Sequence, residues 1–296
     1  MVNACKPKNE APNIVFEEEV LNRVDNGHLG HKNLSDYGFF TGFLVDLVPA
    51  KNVHPYELNT PLFSDYAQKK RFIYLPEGSI IEYHPTEVFD FPVGTGLIKN
   101  FYYDDAQLIN QKGRIIETRL LIKKAREWQA LPYIWNSEQT DAILEITGGA
   151  QEISLLGKKL IHYQIPNMGQ CKGCHQRNGT LQPIGPTARQ LNRNHLDDGG
   201  KSINQLRRLS RLGLLSVSEK EAFPKFSVWN DPKTGSLDER ARAYLEMNCA
   251  HCHRKEGPAK NSGLYLMSTS NSRHALGIMK APVAAGSGSG QLAYDI

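Results

Sequence analysis

The sequence predicts an α+β chain of several domains, with a β-sandwich-like domain followed by helical modules. Three observations lead there. Residues 61–166 break into short apolar or alternating runs separated by turn signals; beyond Pro166 the apolar spacing becomes helical; and four of the five cysteines fall in that second part as two C-x-x-C pairs. With 296 residues and 40% apolar content the chain can bury a sizeable core and fill two or three domains.

Residues 1–60 read as an irregular N-terminal segment, with scattered Gly, Pro, Asn and His and only short apolar clusters such as Tyr37-Gly-Phe-Phe40. The β-rich, sandwich-like domain is expected over 61–166. Its runs include Arg71-Phe-Ile-Tyr-Leu75, Leu97-Ile-Lys-Asn-Phe-Tyr-Tyr103, Arg114-Ile-Ile-Glu-Thr-Arg-Leu-Leu-Ile122 and Ala142-Ile-Leu-Glu-Ile146. Pro76-Glu-Gly78, Pro92-Val-Gly94 and Gly148-Gly149 separate them as turns. Trp128 and Trp135 fall in this region and are read as core aromatics.

Two helical modules are expected next, over 167–235 and 236–296. In the first, Ser202 reads as the N-cap of a helix whose residues Ile203, Leu206, Leu209, Leu212 and Leu215 line one face. Arg207, Arg208 and Arg211 lie mostly off that stripe, as a solvated face or a docking patch for an acidic partner. In the second, Ser236-Leu-Asp-Glu239 forms a capping box, and the helix it starts runs directly into Cys249.

The formal charge of +4 is too mild for a nucleic-acid partner or an anionic membrane surface. No stretch approaches the run of about 18 apolar residues that a spanning helix needs. The cysteines say more. They form Cys171-Lys-Gly-Cys174-His175 and Cys249-Ala-His-Cys252-His253, leaving only Cys5. Zinc sites and disulfides are the alternatives, but zinc pairs stand about 15–20 residues apart, whereas Cys174 and Cys249 are separated by 75 positions. A His following a given Cys by chance is roughly a 1 in 30 event with this composition, and two together roughly 1 in 900. C-x-x-C-H is the attachment motif of haem c: two thiols bond the porphyrin vinyl groups and the adjoining His ligates the iron. Cys171, Cys174, Cys249 and Cys252 are therefore the expected anchors of two covalent haems, and His175 and His253 the iron ligands. His251 occupies a variable position of the motif and is not expected to be a ligand. For the sixth ligands Met168, His195, Met247, Met267 and Met279 are all candidates. His/Met or His/His ligation would favour electron transfer, whereas an open iron would permit peroxide chemistry.

Leu34-Ser-Asp-Tyr-Gly-Phe-Phe40, Tyr56-Glu-Leu-Asn-Thr-Pro-Leu-Phe-Ser-Asp-Tyr66, Phe91-Pro-Val-Gly94, Glu117-Thr-Arg-Leu-Leu121, Leu131-Pro-Tyr-Ile-Trp-Asn136, Ile165-Pro-Asn167, Gln170-Cys-Lys-Gly-Cys-His175 and Arg240-Ala-Arg-Ala-Tyr-Leu245 together resemble a family of bacterial dihaem c-type cytochromes with an N-terminal β-rich domain. The likeness runs along nearly the whole chain. It implies cytochrome c-like modules at the two motifs, haem binding and electron transfer in the periplasm or cell envelope, with redox proteins as partners. It implies no substrate.

The family pattern continues beyond Ile296 toward a Met-rich segment suited to the second haem. The second module is therefore expected to be truncated at its C-terminus, with a five-coordinate or weakly ligated iron and poor packing after about Pro282. Met267 and Met279 follow His253 by only 14 and 26 residues, too few to cross to the opposite haem face. At the other end, Val2-Asn-Ala-Cys5 resembles the close of a lipoprotein signal, so that Cys5 is either a lipidated membrane anchor or an unpaired thiol.

Electron transfer is the leading function on this reading. A dihaem peroxidase is the alternative, but about 170 residues precede the first motif, and the motifs stand 78 positions apart, tight for two peroxidase domains. A third reading has the β domain bind a ligand or partner while the haems relay oxidation.

Overall fold

The computed structural model describes residues 29–157, 160–196 and 200–281. Cys5 and the segment after Pro282 lie outside the described residues. Two short strands, β1 (Phe40–Thr41) and β2 (Val48–Pro49), pair with each other near the start. Then comes a six-stranded antiparallel meander of β3 (Val53–Tyr56), β4 (Gln68–Tyr74), β5 (Gly96–Tyr103), β6 (Arg114–Lys123), β7 (Trp128–Trp135) and β8 (Ala142–Leu144). Its strands neighbour one another in chain order, although long connections join β3 to β4 and β4 to β5. A separate hairpin follows, β9 (Gly149–Ser154) with β10 (Leu160–Ile165).

Both faces of the meander are buried, which is why its strands carry near-continuous apolar runs. On one face Phe72, Ile98, Leu120, Leu131 and Trp135 pack under Leu34, Phe39 and Leu47. The segment read as irregular thus closes half the core, and β3, drawn from it, forms one sheet edge. On the opposite face Phe101 and Tyr103 pack under the β9–β10 hairpin with Tyr163 and Ile165. Farther along that face, Ile73, Leu97, Trp128 and Ala130 join Cys171, Leu181, Leu191, Leu206 and Leu209 in one cluster.

The expected sandwich followed by helical cytochrome c-like modules is not what forms. Among the described residues strands in several sheets predominate, with 18% helix, and the second half is a set of short helices and two-stranded turns spread over the sheet. These are α1 (Met168–His175), the hairpin β11 (Gln176–Arg177) with β12 (Thr180–Leu181), α2 (Ala188–Leu191), the pair β13 (Asn194–Leu196) with β14 (Ser202–Asn204), α3 (Gln205–Arg211) and α4 (Leu237–Asn248). The reason is local. Pro183 and Pro186 interrupt any helix after the first motif, and residues 212–235 and 254–281 are punctuated by Gly, Pro and Ser. Without long amphipathic helices there is nothing to build a helical bundle.

The helix predicted from Ser202 begins two residues later. Ser202 and Ile203 pair with Leu196 and His195, and Asn204 caps instead, its side chain accepting from the amides of Leu206 and Arg207. The helix ends at Arg211, because Gly213 turns the chain at φ +70°. Leu215 still reaches the core by bridging to Ile81, a position outside the helix. Arg207 and Arg211 both bond Glu219, so that basic run is partly neutralised. The second helix keeps its capping box: Ser236 Oγ accepts from the Glu239 amide, and Glu239 accepts from the Ser236 amide.

Because Leu206 is fully buried in a cluster shared with sheet residues, Leu206→Ala should destabilise sheet and helices together, by about 2–5 kcal/mol. Denaturant unfolding followed by tryptophan fluorescence and by far-ultraviolet circular dichroism should give coincident, shifted transitions. Loss of helix signal with an unchanged fluorescence midpoint would show the two parts to be uncoupled.

Candidate functional site

A cavity of about 240 Å³ between the sheet and the second half of the chain is lined by Cys171, Cys174 and His175 of the first C-x-x-C-H segment and by His251 of the second, whereas Cys249, Cys252 and His253 lie outside its lining. Asn167 starts α1 with a reciprocal cap, its side chain accepting from the Gln170 amide at 2.8 Å while Gln170 returns the bond at 2.9 Å. The helix that follows holds Cys171, Cys174 and His175 at i, i+3 and i+4, one side of the turn, and all three line the cavity. Asn178 and Gly179, both at positive φ, then reverse the chain. That brings Gln182 back to His175, where the Gln182 amide donates to the His175 carbonyl at 2.6 Å and the Gln182 carbonyl lies 3.1 Å from Nδ1. A carbonyl at Nδ1 fixes the tautomer that leaves Nε2 for a metal. Burial, with the charge of Lys99 adding to it, lowers the imidazole pKa to about 4, so the ring is neutral, as a metal ligand must be.

The second motif follows the capped helix α4. Cys249 closes that helix, and the turn after it is held by the amides of Cys252 and His253 donating to the Cys249 carbonyl. His253 Nδ1 lies 3.1 Å from Ser262 Oγ, the counterpart of Gln182 in the first motif. All four cysteines are free thiols, Cys171 buried and Cys174 exposed. Burial raises the pKa of the Cys252 thiol, and the charges of Cys174 and Cys249 raise it further. A backbone bond of 2.9 Å from Asn178 to Glu256 and the carboxylate of Glu87, bonded to both Arg177 and Arg254, tie the motifs together.

The sheet supplies the facing wall. Register places Leu97 opposite Ile73 and Leu121, with Ala130 beyond, an apolar row across β4–β7. One step along, Arg71, Lys99 and Arg119 stand opposite one another on β4, β5 and β6, a row of three cations. Like charges directly opposite are destabilising. Glu117, fully buried, answers one of them by bonding Arg119 through both oxygens and accepting from Tyr163 Oη at 2.6 Å. The other two are less well served. Arg71 is buried with Nη2 lacking any hydrogen-bond partner, and Lys99, held well below the usual lysine range by burial and by Arg71 and Arg119, has its ammonium 4.6 Å from the Phe101 ring.

These features fit a haem: paired thiols, a neutral imidazole with a free nitrogen, an apolar surface for a porphyrin and a cationic row, with one Arg71 nitrogen unpartnered, for its carboxylates. A zinc site would need three or four converging ligands. Among the described residues no three His, Cys, Asp or Glu side chains converge that way.

Of the candidate sixth ligands, Met247 and Met267 line the cavity. Met168 instead packs against the core on the far side of the sheet. His195 lies 3.9 Å from Glu57 on β13, outside the cavity lining, and Met279 is exposed. Spacing along the chain missed Arg71, Lys99 and Arg119, which only strand register brings together. Comparison with protein-family models, with characterised proteins and with solved structures gives no match.

Glu87 sits between the motifs. Burial raises its pKa, but the hydrogen bond and charge of Arg177, with Arg254, lower it further, and the net shift is downward. Its stabilisation is therefore present above the unfolded carboxyl pKa and lost as the pH falls through the lower folded value. Glu87→Gln should cost about 0.5–1 kcal/mol at neutral pH, since the group is partly exposed. That difference from the parent should shrink as the pH falls below the usual carboxylate range in parallel denaturation curves. A gap of equal size at neutral and at acid pH would remove the ion pairs as its cause.

Proposed function

We propose that the chain is a dihaem c-type cytochrome that transfers electrons in the bacterial cell envelope. The observation that carries this reading is the first C-x-x-C-H segment lining a cavity that the second enters through His251, with the Nδ1 of His175 and of His253 each held and a facing wall that offers an apolar row beside a row of cations. Cys171, Cys174 and His175 would hold one haem, and Cys249, Cys252 and His253 the other. When bound, haem supplies an iron that accepts and gives up a single electron.

The chain's own residues do the rest. Gln182 and Ser262 orient the two imidazoles. Leu97, Leu121 and Ala130 exclude water from one side of the cavity, which lowers the local dielectric and favours the less charged oxidation state. Arg71 and Lys99 are placed to take carboxylates, which would relieve the unpaired charge on the wall. The backbone bond from Asn178 to Glu256 and the shared Glu87 contacts to Arg177 and Arg254, which join the two motifs, support electron passage between the sites within one chain. Haem c attachment happens on the outer side of the cytoplasmic membrane, so the proposal includes export, with redox proteins as the partners. Anchoring through Cys5 belongs to the same proposal.

Protein matured in a host with haem-attachment machinery should carry two haems that resist acid–acetone extraction. Cys171→Ala with Cys174→Ala should leave one, by intact-protein mass and pyridine haemochrome absorbance. Two haems remaining, or none attached to the parent chain, would overturn the proposal.

A further inference from the structure

The variable residue of the second motif, His251, does not point away from the first. It lines the same cavity as Cys171, Cys174 and His175, and its Nδ1 is buried without a well-formed hydrogen bond, the ring's one protein contact of this kind being to the Met247 backbone. A buried ring nitrogen left so costs on the order of 1–3 kcal/mol, which a ligand entering the cavity would relieve. Met247 and Met267 line the cavity too. A thioether, however, is a weak acceptor that sits in an apolar wall without penalty, and Met247 is packed that way, buried on α4. The unsatisfied group is the histidine.

We propose that His251 is the distal ligand of the iron held by His175, so that the second attachment motif ligates the first haem as well as its own. This deepens the haem reading and rests on it. The motif then does two jobs within three residues: His253 takes its own iron and His251 the neighbouring one. Two features hold it in place. The Asn178–Glu256 backbone bond and the Glu87 contacts to Arg177 and Arg254 fix the second motif against the first. The end of α4 fixes Ala250, which is buried and donates back to the carbonyls of Leu245 and Glu246. The first site would be bis-histidine, closed to external ligands.

The test uses the full chain carrying both haems and reads low-temperature electron paramagnetic resonance with far-red absorbance. The parent should show a bis-imidazole low-spin signal. In His251→Ala that signal should be lost and replaced by a high-spin one, and added imidazole should restore it. In His251→Met the first haem should stay low-spin and gain a sulfur-to-iron charge-transfer band, a gain that a misfolded chain would not produce. With Cys171 and Cys174 changed to Ala, the spectrum of the remaining haem should not respond to His251→Ala. Covalent haem retained with both signals unchanged in His251→Ala would overturn the assignment alone. So would a sulfur-to-iron band in the parent that Met247→Ala or Met267→Ala abolishes. Absence of covalent haem from the parent would overturn the haem reading and this assignment with it.

Discussion

Arg71, Lys99 and Arg119 stand shoulder to shoulder on β4, β5 and β6, and the buried carboxylate of Glu117 neutralises part of their charge. Three cations in a row inside a protein would ordinarily push the strands apart. Here Glu117 grips the Arg119 guanidinium through two bonds, Tyr163 of the hairpin donates to the same carboxylate, and Arg119 and Lys99 both lie against the Phe101 ring. Glu117 is thus what lets the β9–β10 hairpin close on the sheet while a positive wall survives next to it. A buried pair of this kind stabilises less than its attraction suggests, because both ions have lost water. Its value lies in where it leaves charge: balanced under the hairpin, unbalanced over the cavity.

The cavity in turn joins parts of the chain that sequence separates widely. Its walls come from the sheet, from α1 and the turn after it, and from the end of α4. A second buried pair, Arg189 with Glu246 at 2.5 Å, ties α2 to α4, and Glu246 also accepts from the Ser268 amide beside Met267. The first motif is therefore held by a core shared with the sheet, and the second is tied to it by paired charges and backbone bonds.

Part of the candidate site is legible in the sequence because its signals are contiguous. The two C-x-x-C-H segments and the capping box at Ser236 are local patterns, and β4, β5, β6 and β8 fall on the apolar or alternating runs, whereas β3, β7, β9 and β10 do not. What failed to show was whatever depends on tertiary choice. An apolar run cannot say whether a second sheet or a set of loops will cover it, and so a sandwich was expected where a single meander and a hairpin form. Ser202 and Asn204 are both good caps, and strand pairing at His195 and Ile203 decided between them. His251 looked like filler because its meaning comes from a cavity whose other side is made by residues about 75 positions earlier. The cationic row is invisible along the chain for the same reason: strand register, and no spacing rule, brings its members together.

The burial of Cys171 against the sheet carries a consequence for biogenesis. A sulfur that sits in the core cluster with Leu97, Leu181, Leu191 and Leu206 and opens only onto the cavity is poorly accessible to an enzyme acting on the finished fold. On the haem reading, thioether formation there must precede docking of the second half onto the meander. The meander has the earlier sequence and antiparallel neighbours joined in order, so it can form first and wait as a template. The order of events is then vectorial: the sheet folds, the thiols are modified while the following segment is still open, and closure comes last.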